Sequence, residues 1–226
     1  MKPIGIITLF VFLWFGNLVY SQTNTFASEW GYGINGGFTF SKIGFNSSIS
    51  VPQELFRQFS GGITVRYISE SHFGIQGELN YSQRGWKERT DTVHLNRYSR
   101  SIAYLEFPVM THIYFNLGKS VRLIFNLGPQ IGYYISEKEI EREIIDFKRD
   151  KYDPDKPSYY DIPVQHAFDY GLKGTMGFEF RTKAGSFILD GRYYFGLSDV
   201  FSNTKSDPFQ ASHNQITGVN LTYLFR

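Results

Sequence analysis

Phe168-Asp169-Tyr170-Gly171-Leu172-Lys173-Gly174-Thr175-Met176-Gly177-Phe178-Glu179-Phe180-Arg181 is the stretch that decides how this chain folds. Phe168, Tyr170, Leu172, Met176, Phe178 and Phe180 hold one parity, and Asp169, Lys173, Thr175, Glu179 and Arg181 hold the other. A period of two puts alternate side chains on opposite faces of an extended strand. The same test succeeds from His72 to Gln83, where Phe73, Ile75, Leu79 and Tyr81 oppose Gln76, Glu78, Asn80 and Ser82. It succeeds again from Val121 to Tyr134, with Ile124 as the exception on the polar parity.

Working outward, five more segments follow the pattern: 30–43, 59–68, 101–115, 185–197 and 215–226. Together they predict eight strands, several longer than the five or six residues usual in globular sheets. A tilted crossing of a bilayer takes about 9 to 11 residues. The connections alternate as well. Ser69-Glu70-Ser71, 116–120 and Thr182-Lys183-Ala184 are short, while 46–58, 86–97, 136–163 and 198–214 are long. Long outer loops facing short inner turns are the rhythm of an antiparallel, up-and-down transmembrane β-barrel with both termini on the turn side.

The start of the chain agrees with export. Lys2 precedes an apolar run from Ile4 to Phe15, and Val19 and Ser21 supply small residues before Gln22. This predicts a cleaved signal peptide over 1–21 and a single barrel domain over 22–226. No later apolar run approaches the ~20 residues of a spanning helix. Lys plus Arg number 23 against 21 for Asp plus Glu, which gives no concentrated positive charge for nucleic acid. With no cysteine there is no disulfide framework, thiolate metal site or cysteine nucleophile.

If the apolar faces meet lipid, the inward charges are Arg66, Arg122, Lys173, Arg181 and Arg192 against Glu78, Glu106, Asp169, Glu179 and Asp190. Buried charge is costly unless paired, so equal numbers predict a structural ionic network inside the barrel. An eight-stranded barrel is narrow enough for side chains to fill, and the lumen should be closed to free diffusion. Tyr81, Trp86, Tyr133, Tyr134, Tyr193 and Tyr194 fall near outer strand ends and suit an aromatic girdle. A lipocalin-type barrel shares strand number and order with the reverse polarity, and the period alone does not choose between them.

Several stretches resemble the PorT-like family of outer-membrane β-barrel proteins. They are 77–86 (GELNYSQRGW), 104–108 (YLEFP), 127–132 (LGPQIG), 169–171 (DYG), 192–200 (RYYFGLSDV) and 221–225 (LTYLF). The resemblance spans nearly the whole chain after residue 22. It implies an outer-membrane barrel, a Gram-negative envelope, and a role as accessory factor in a secretion and gliding pathway. One departure is Arg226, which follows Phe225 where such barrels finish on an aromatic residue. Pro108 and Pro129 lack the ladder donor and should each mark a bulge.

None of the five histidines falls in an H-E-x-x-H motif. His112 shares a face with Glu106, but six residues along a strand is about 20 Å, too far for direct contact. His72, His94, His166 and His213 fall in loops or at strand ends. The expectation is therefore no catalytic, cofactor or metal site, with a narrow channel or a lipid-modifying enzyme as lesser readings. Asp153-Pro154-Asp155 lacks the spaced ligands of a calcium loop. Ser136-Glu137-Lys138-Glu139 followed by Ile140, Ile144 and Phe147 reads as a short amphipathic helix or a strand extension. Either would present an apolar stripe outside the cell, which packs on the loop's own Tyr152, Tyr159 and Tyr160 or docks a protein partner at 136–163, with outer-membrane lipid around the wall.

Overall fold

A computed structural model describes residues 26–46, 53–88, 97–143, 162–201 and 211–225. The segment 1–21, His94 and the Asp153-Pro154-Asp155 turn lie outside the described residues. The wall is built from β1 (Glu29–Asn46), β3 (Phe56–Glu70), β4 (Phe73–Glu88), β5 (Arg97–Asn116), β6 (Val121–Glu143), β7 (Phe168–Thr182), β8 (Gly185–Asp199) and β9 (Ala211–Phe225). A two-residue strand, β2 (Gln53–Glu54), pairs with the end of β4.

Each wall strand pairs antiparallel with its neighbours in the chain, and β1 pairs with β9 from Tyr32↔Phe225 to Asn46↔Ala211. That last pairing closes an eight-stranded antiparallel barrel. Closure leaves no sheet edge within the wall, the condition for a sheet to exist in hydrocarbon.

The alternation that predicted the strands also sets the two faces. Phe168, Tyr170, Leu172, Met176, Phe178 and Phe180 are exposed on the outside of β7, while Asp169, Lys173, Thr175 and Glu179 are buried inside. β8 repeats this with Phe187, Leu189, Tyr193, Phe195 and Leu197 outside. From Phe168 to Phe180 a strand tilted by roughly 40° rises about 30 Å, enough for an apolar band ~25 Å tall. The reverse polarity of a lipocalin is thereby overturned, since the inside is polar and charged. Tyr81, Tyr133 and Tyr193 face outward as a girdle requires, but Trp86 and Tyr194 are buried inside and Tyr134 is half-buried. Even parity puts these last three on the lumen side.

The ladder departs from regularity in places the prolines did not indicate. Pro108↔Gln130 and Thr111↔Leu127 share one register, as do Gly128↔Lys173 and Pro129↔Leu172, so neither proline marks a bulge. The absent donor is accommodated as a short gap in β5–β6 pairing without an inserted residue. Opposite that gap a Cβ on Gly128 would stand 2.1 Å from the Val109 carbonyl oxygen, and only glycine admits the approach. Apart from register shifts at Ile68/Glu70 and Phe195/Asp199, the irregularities lie higher on β6. Ala103 pairs with Ser136 and Tyr104 with Tyr134, leaving Ile135 over; Ser99 pairs with Glu141 and Arg100 with Glu139, leaving Ile140 over.

Residues 136–143 continue β6 as strand, so of the two readings of that segment the strand extension is the one adopted. β7 pairs with β6 only as far as Tyr133↔Phe168; above it β6 stays paired with β5, and β4 flanks β5 as far as Lys87↔Ser99, so β5 and β6 stand as a two-stranded ribbon only over their last residues. A closed barrel of this kind should run as a compact species on unboiled detergent gels and shift in mobility on boiling. Absence of a membrane-bound, heat-modifiable band would contradict the closure through β1 and β9.

Candidate functional site

The lumen is where the chain concentrates its polar chemistry, in three tiers. Nearest the turns, Arg66 donates to Gln76 Oε1 at 2.8 and 3.0 Å and to Glu179 at 3.0 Å. Arg122 lies 4.2 Å above the Tyr114 ring, with Asn116 at 3.2 Å and Glu29 at 3.5 Å.

Glu78 is the hub of the middle tier. It accepts from Lys173 at 3.2 Å, from Arg192 at 2.9 and 3.3 Å, and from the amides of Gln76 and Asn80 at 2.8 Å each. Arg192 turns its Nε to Asp190 at 2.7 Å. Every lone pair of the Glu78 carboxylate is thus directed at a donor, which is the condition for keeping a charge away from water.

The upper tier is organised by Arg84. Its Nε donates to Glu106 at 2.9 Å, and its Nη1 pairs with Asp169. Tyr104 and Tyr194 each place a ring centroid 4.6 Å from its guanidinium carbon, a cation–π distance. Asp169 also accepts from the Tyr194 hydroxyl at 2.8 Å and from Ser198 at 2.5 Å. Gln130, in the amide orientation its neighbours dictate, accepts from Arg84 at 2.8 Å and donates to Glu106 at 3.3 Å.

Nine of the ten residues expected inside are thus in the network or at its lower edge. Arg181 is the correction. It follows the parity of Asp169 and Glu179, but β7 ends one residue later, and it sits half-exposed at the turn-side mouth. Arg84 takes its place in the balance of five cations and five anions. The expected strand stopped at Gln83, one residue short, although the parity of Gln76, Glu78, Asn80 and Ser82 runs on to Arg84.

An apolar cluster packs against this network toward each end. Toward the turns, Ile68, Tyr114, Ile124, Ile188 and Leu224 form a buried cluster, which explains the apolar exception at Ile124. Beside it a cavity of about 160 Å³ is bordered by Ile68 and Leu224 of this cluster and by Glu29, Arg66, Arg122, Glu179 and Arg181. Toward the loops, Ile43, Trp86, Tyr98, Ile102, Tyr104, Val200 and Phe201 pack together, with Ile162 and Val164 against them. Arg100 spans this upper cluster. Its guanidinium lies 5.3 Å from the Trp86 ring, donates to the Ile162 carbonyl at 2.6 Å, and reaches Glu137 and Glu139 at 3.4 and 3.3 Å. Burial opposes the charge of Glu139, but the Tyr98 hydroxyl and the charges of Arg142 and Arg100 hold its carboxyl below its ordinary range. Between the two clusters, the gap bordered by Ser60, Ser82, Lys173 and Arg192 measures about 30 Å³, room for one or two water molecules.

His112 is buried on the lumen side of β5, with Nδ1 2.7 Å from Asn126 Oδ1 and its ring stacked on Tyr114. Its partner is an amide and no acid is bonded to it, so it does not form a base–acid pair with Glu106. Among the described residues no group of three or more His, Asp or Glu side chains is placed to hold a metal ion.

Removing Arg84 would leave Glu106 and Asp169 buried without their cation. Arg84→Ala should lower folded stability by about 3–5 kcal/mol, read as the urea midpoint of the boiling-dependent gel shift. Arg84→Met combined with Glu106→Gln and Asp169→Asn should recover much of the loss. A triple variant no more stable than Arg84→Ala would show that the guanidinium packs more than it neutralises.

No curated protein matches the chain in sequence. Among solved structures, Ail, the attachment invasion locus protein of Yersinia pestis, aligns at 14% identity and TM-score 0.38, covering 87% of this chain and 99% of Ail. Neisserial surface protein A aligns at 11% identity and TM-score 0.43, covering 88% and 99%. Outer Membrane Protein W of E. coli aligns at 11% and 0.37, covering 86% and 97%. None of these likenesses bears on the role of this chain. Residues 20–202 match the outer membrane protein beta-barrel domain family, and the chain belongs to that family.

Proposed function

We propose that this protein is a closed outer-membrane barrel with a structural or interaction role carried by its outer loops, and that it is neither a pore nor an enzyme. The observation that carries this reading is the filled lumen, a paired ionic network held between two apolar clusters. Transport through it would require separating Glu78 from Lys173 and Arg192, and Arg84 from both of its acids, with each step costing several kcal/mol. A second reading, an accessory role in a secretion and gliding pathway, rests on the resemblance to the PorT-like family. The β5–β6 ribbon favours it, because it carries the first part of the 136–163 partner segment as a paired strand beyond the wall.

Planar-bilayer recordings of the refolded full-length protein should give no reproducible conductance steps, and steady single-channel openings would sink the closed-lumen reading. Co-purification of secretion components after mild solubilisation separates the two roles. Their absence, together with unchanged secretion in a deletion strain, would leave the structural role.

A further inference from the structure

Among the described residues, cations exposed toward the long-loop end lie on the β5–β6 extension, where Arg97 and Arg142 pair with Glu143 and Glu139, and on β1, β3 and β4. Lys42 on β1, Arg57 on β3 and Lys87 on β4 all point outward, as the burial of their neighbours Ser41, Ile43, Gln58, Trp86 and Glu88 requires. The ladders make them near neighbours. Phe40 pairs with Arg57 and Ser41 with Phe56, and Glu54 with Lys87, so the three lie at nearly one height toward the long-loop end. With strands about 4.8 Å apart, they occupy a patch roughly 10 Å across.

Glu54, 3.9 Å from Lys87, is the sole acid paired with them among the described residues. Lys42 and Arg57 have no acidic partner there. Arg57 instead lies 4.2 Å above the Phe38 ring, which fixes its guanidinium against the wall. Leu55 stands exposed between the charges, and Phe59 and Phe38 are exposed just below. On the other side of the barrel no Lys or Arg faces outward along β7, β8 or β9 among the described residues. The outward cations of β5 and β6 come with acids, Glu143 for Arg97 and Glu139 for Arg142, whereas those of β1, β3 and β4 exceed their one acid.

We propose that Lys42, Arg57 and Lys87 form a lateral binding site for a phosphorylated glycolipid of the outer leaflet, the cations meeting its phosphates and Phe38, Leu55 and Phe59 meeting its acyl chains. The assignment rests on two features of the patch. One is its excess of positive charge, which matches an anionic headgroup. The other is its height, directly above the apolar band at the end where the long connections lie, which is the outer leaflet of the envelope. It does not depend on whether the loops also hold a protein partner.

The test uses the folded full-length protein in neutral detergent micelles, titrated with bisphosphorylated lipid A and read by native mass spectrometry. Replacing Lys42, Arg57 and Lys87 together by Gln should weaken lipid A binding by about a hundredfold at low salt, since each cation near an anionic surface contributes on the order of a fivefold factor. Lys119→Gln with Lys183→Gln, on the turn side, should leave it unchanged, and both variants should keep the boiling-dependent gel shift because all five positions are at the surface. Lipid A stripped of its phosphates should bind no better than phosphatidylcholine. Equal affinity in the triple variant, or an equal loss in the turn-side variant, would overturn the site. Cardiolipin binding as tightly as lipid A would overturn the glycolipid assignment.

Discussion

Everything inside this barrel depends on the cost of leaving a charge unpaired where water cannot reach. A carboxylate in such a place is tolerated when cations and hydrogen-bond donors saturate it, and Glu78 meets two cations and two amides. These contacts join residues far apart in the chain. Arg192 reaches Glu78 on the opposite strand pair, and Arg66 on β3 reaches Glu179 on β7. Taken alone, β3 would carry Arg66 and β4 would carry Glu78 into the lumen without an opposite charge from another strand. Only the complete ring of strands satisfies them together, so the network rewards closure of the barrel and discriminates against partial sheets. The hydrophobic effect, which organises soluble domains around a dry core, acts here mainly on the outside, where lipid covers Phe, Leu, Tyr and Ile.

The architecture was legible because parity is such a direct signal. A strand with one face in lipid and one in a polar lumen has to alternate, and a shift by one residue would reverse every side chain. The lumen residues follow from the same rule, and the two exceptions sit at strand ends. Arg84 lies one residue beyond the Gln83 end that the alternation predicts for β4, and Arg181 keeps the inward parity although the wall ends beside it. Tyr194 and Trp86 were assigned to the girdle from their position along the strand, whereas their even parity already placed them with Asp190, Arg192 and Arg84. Height along a strand is a softer guide than parity.

What no single-strand reading could supply is which charges meet. Arg84 pairing with Asp169 depends on the stagger of strands across the lumen, a property of the closed ring. The cationic patch on β1, β3 and β4 has the same origin. Lys42, Arg57 and Lys87 are separated in sequence by intervals that mean nothing until the registers of two ladders align them. The 136–143 segment was ambiguous for another reason. Its capping-box letters suit a helix, but pairing with Arg97–Ala103 offers its backbone a ladder, and tertiary partners outweigh local propensity.

The two isoleucines left over on β6 have a consequence for the membrane as a crowded surface. Ile135 and Ile140 each interrupt the even spacing of backbone donors and acceptors along the part of β6 that rises past β7. A flat, regular strand standing there could zip onto the same strand of a neighbouring molecule and seed a growing two-dimensional array. The interruptions and the added twist they bring spoil that match at two points within a span of six residues. The molecules can then pack closely side by side in the envelope and still diffuse past one another.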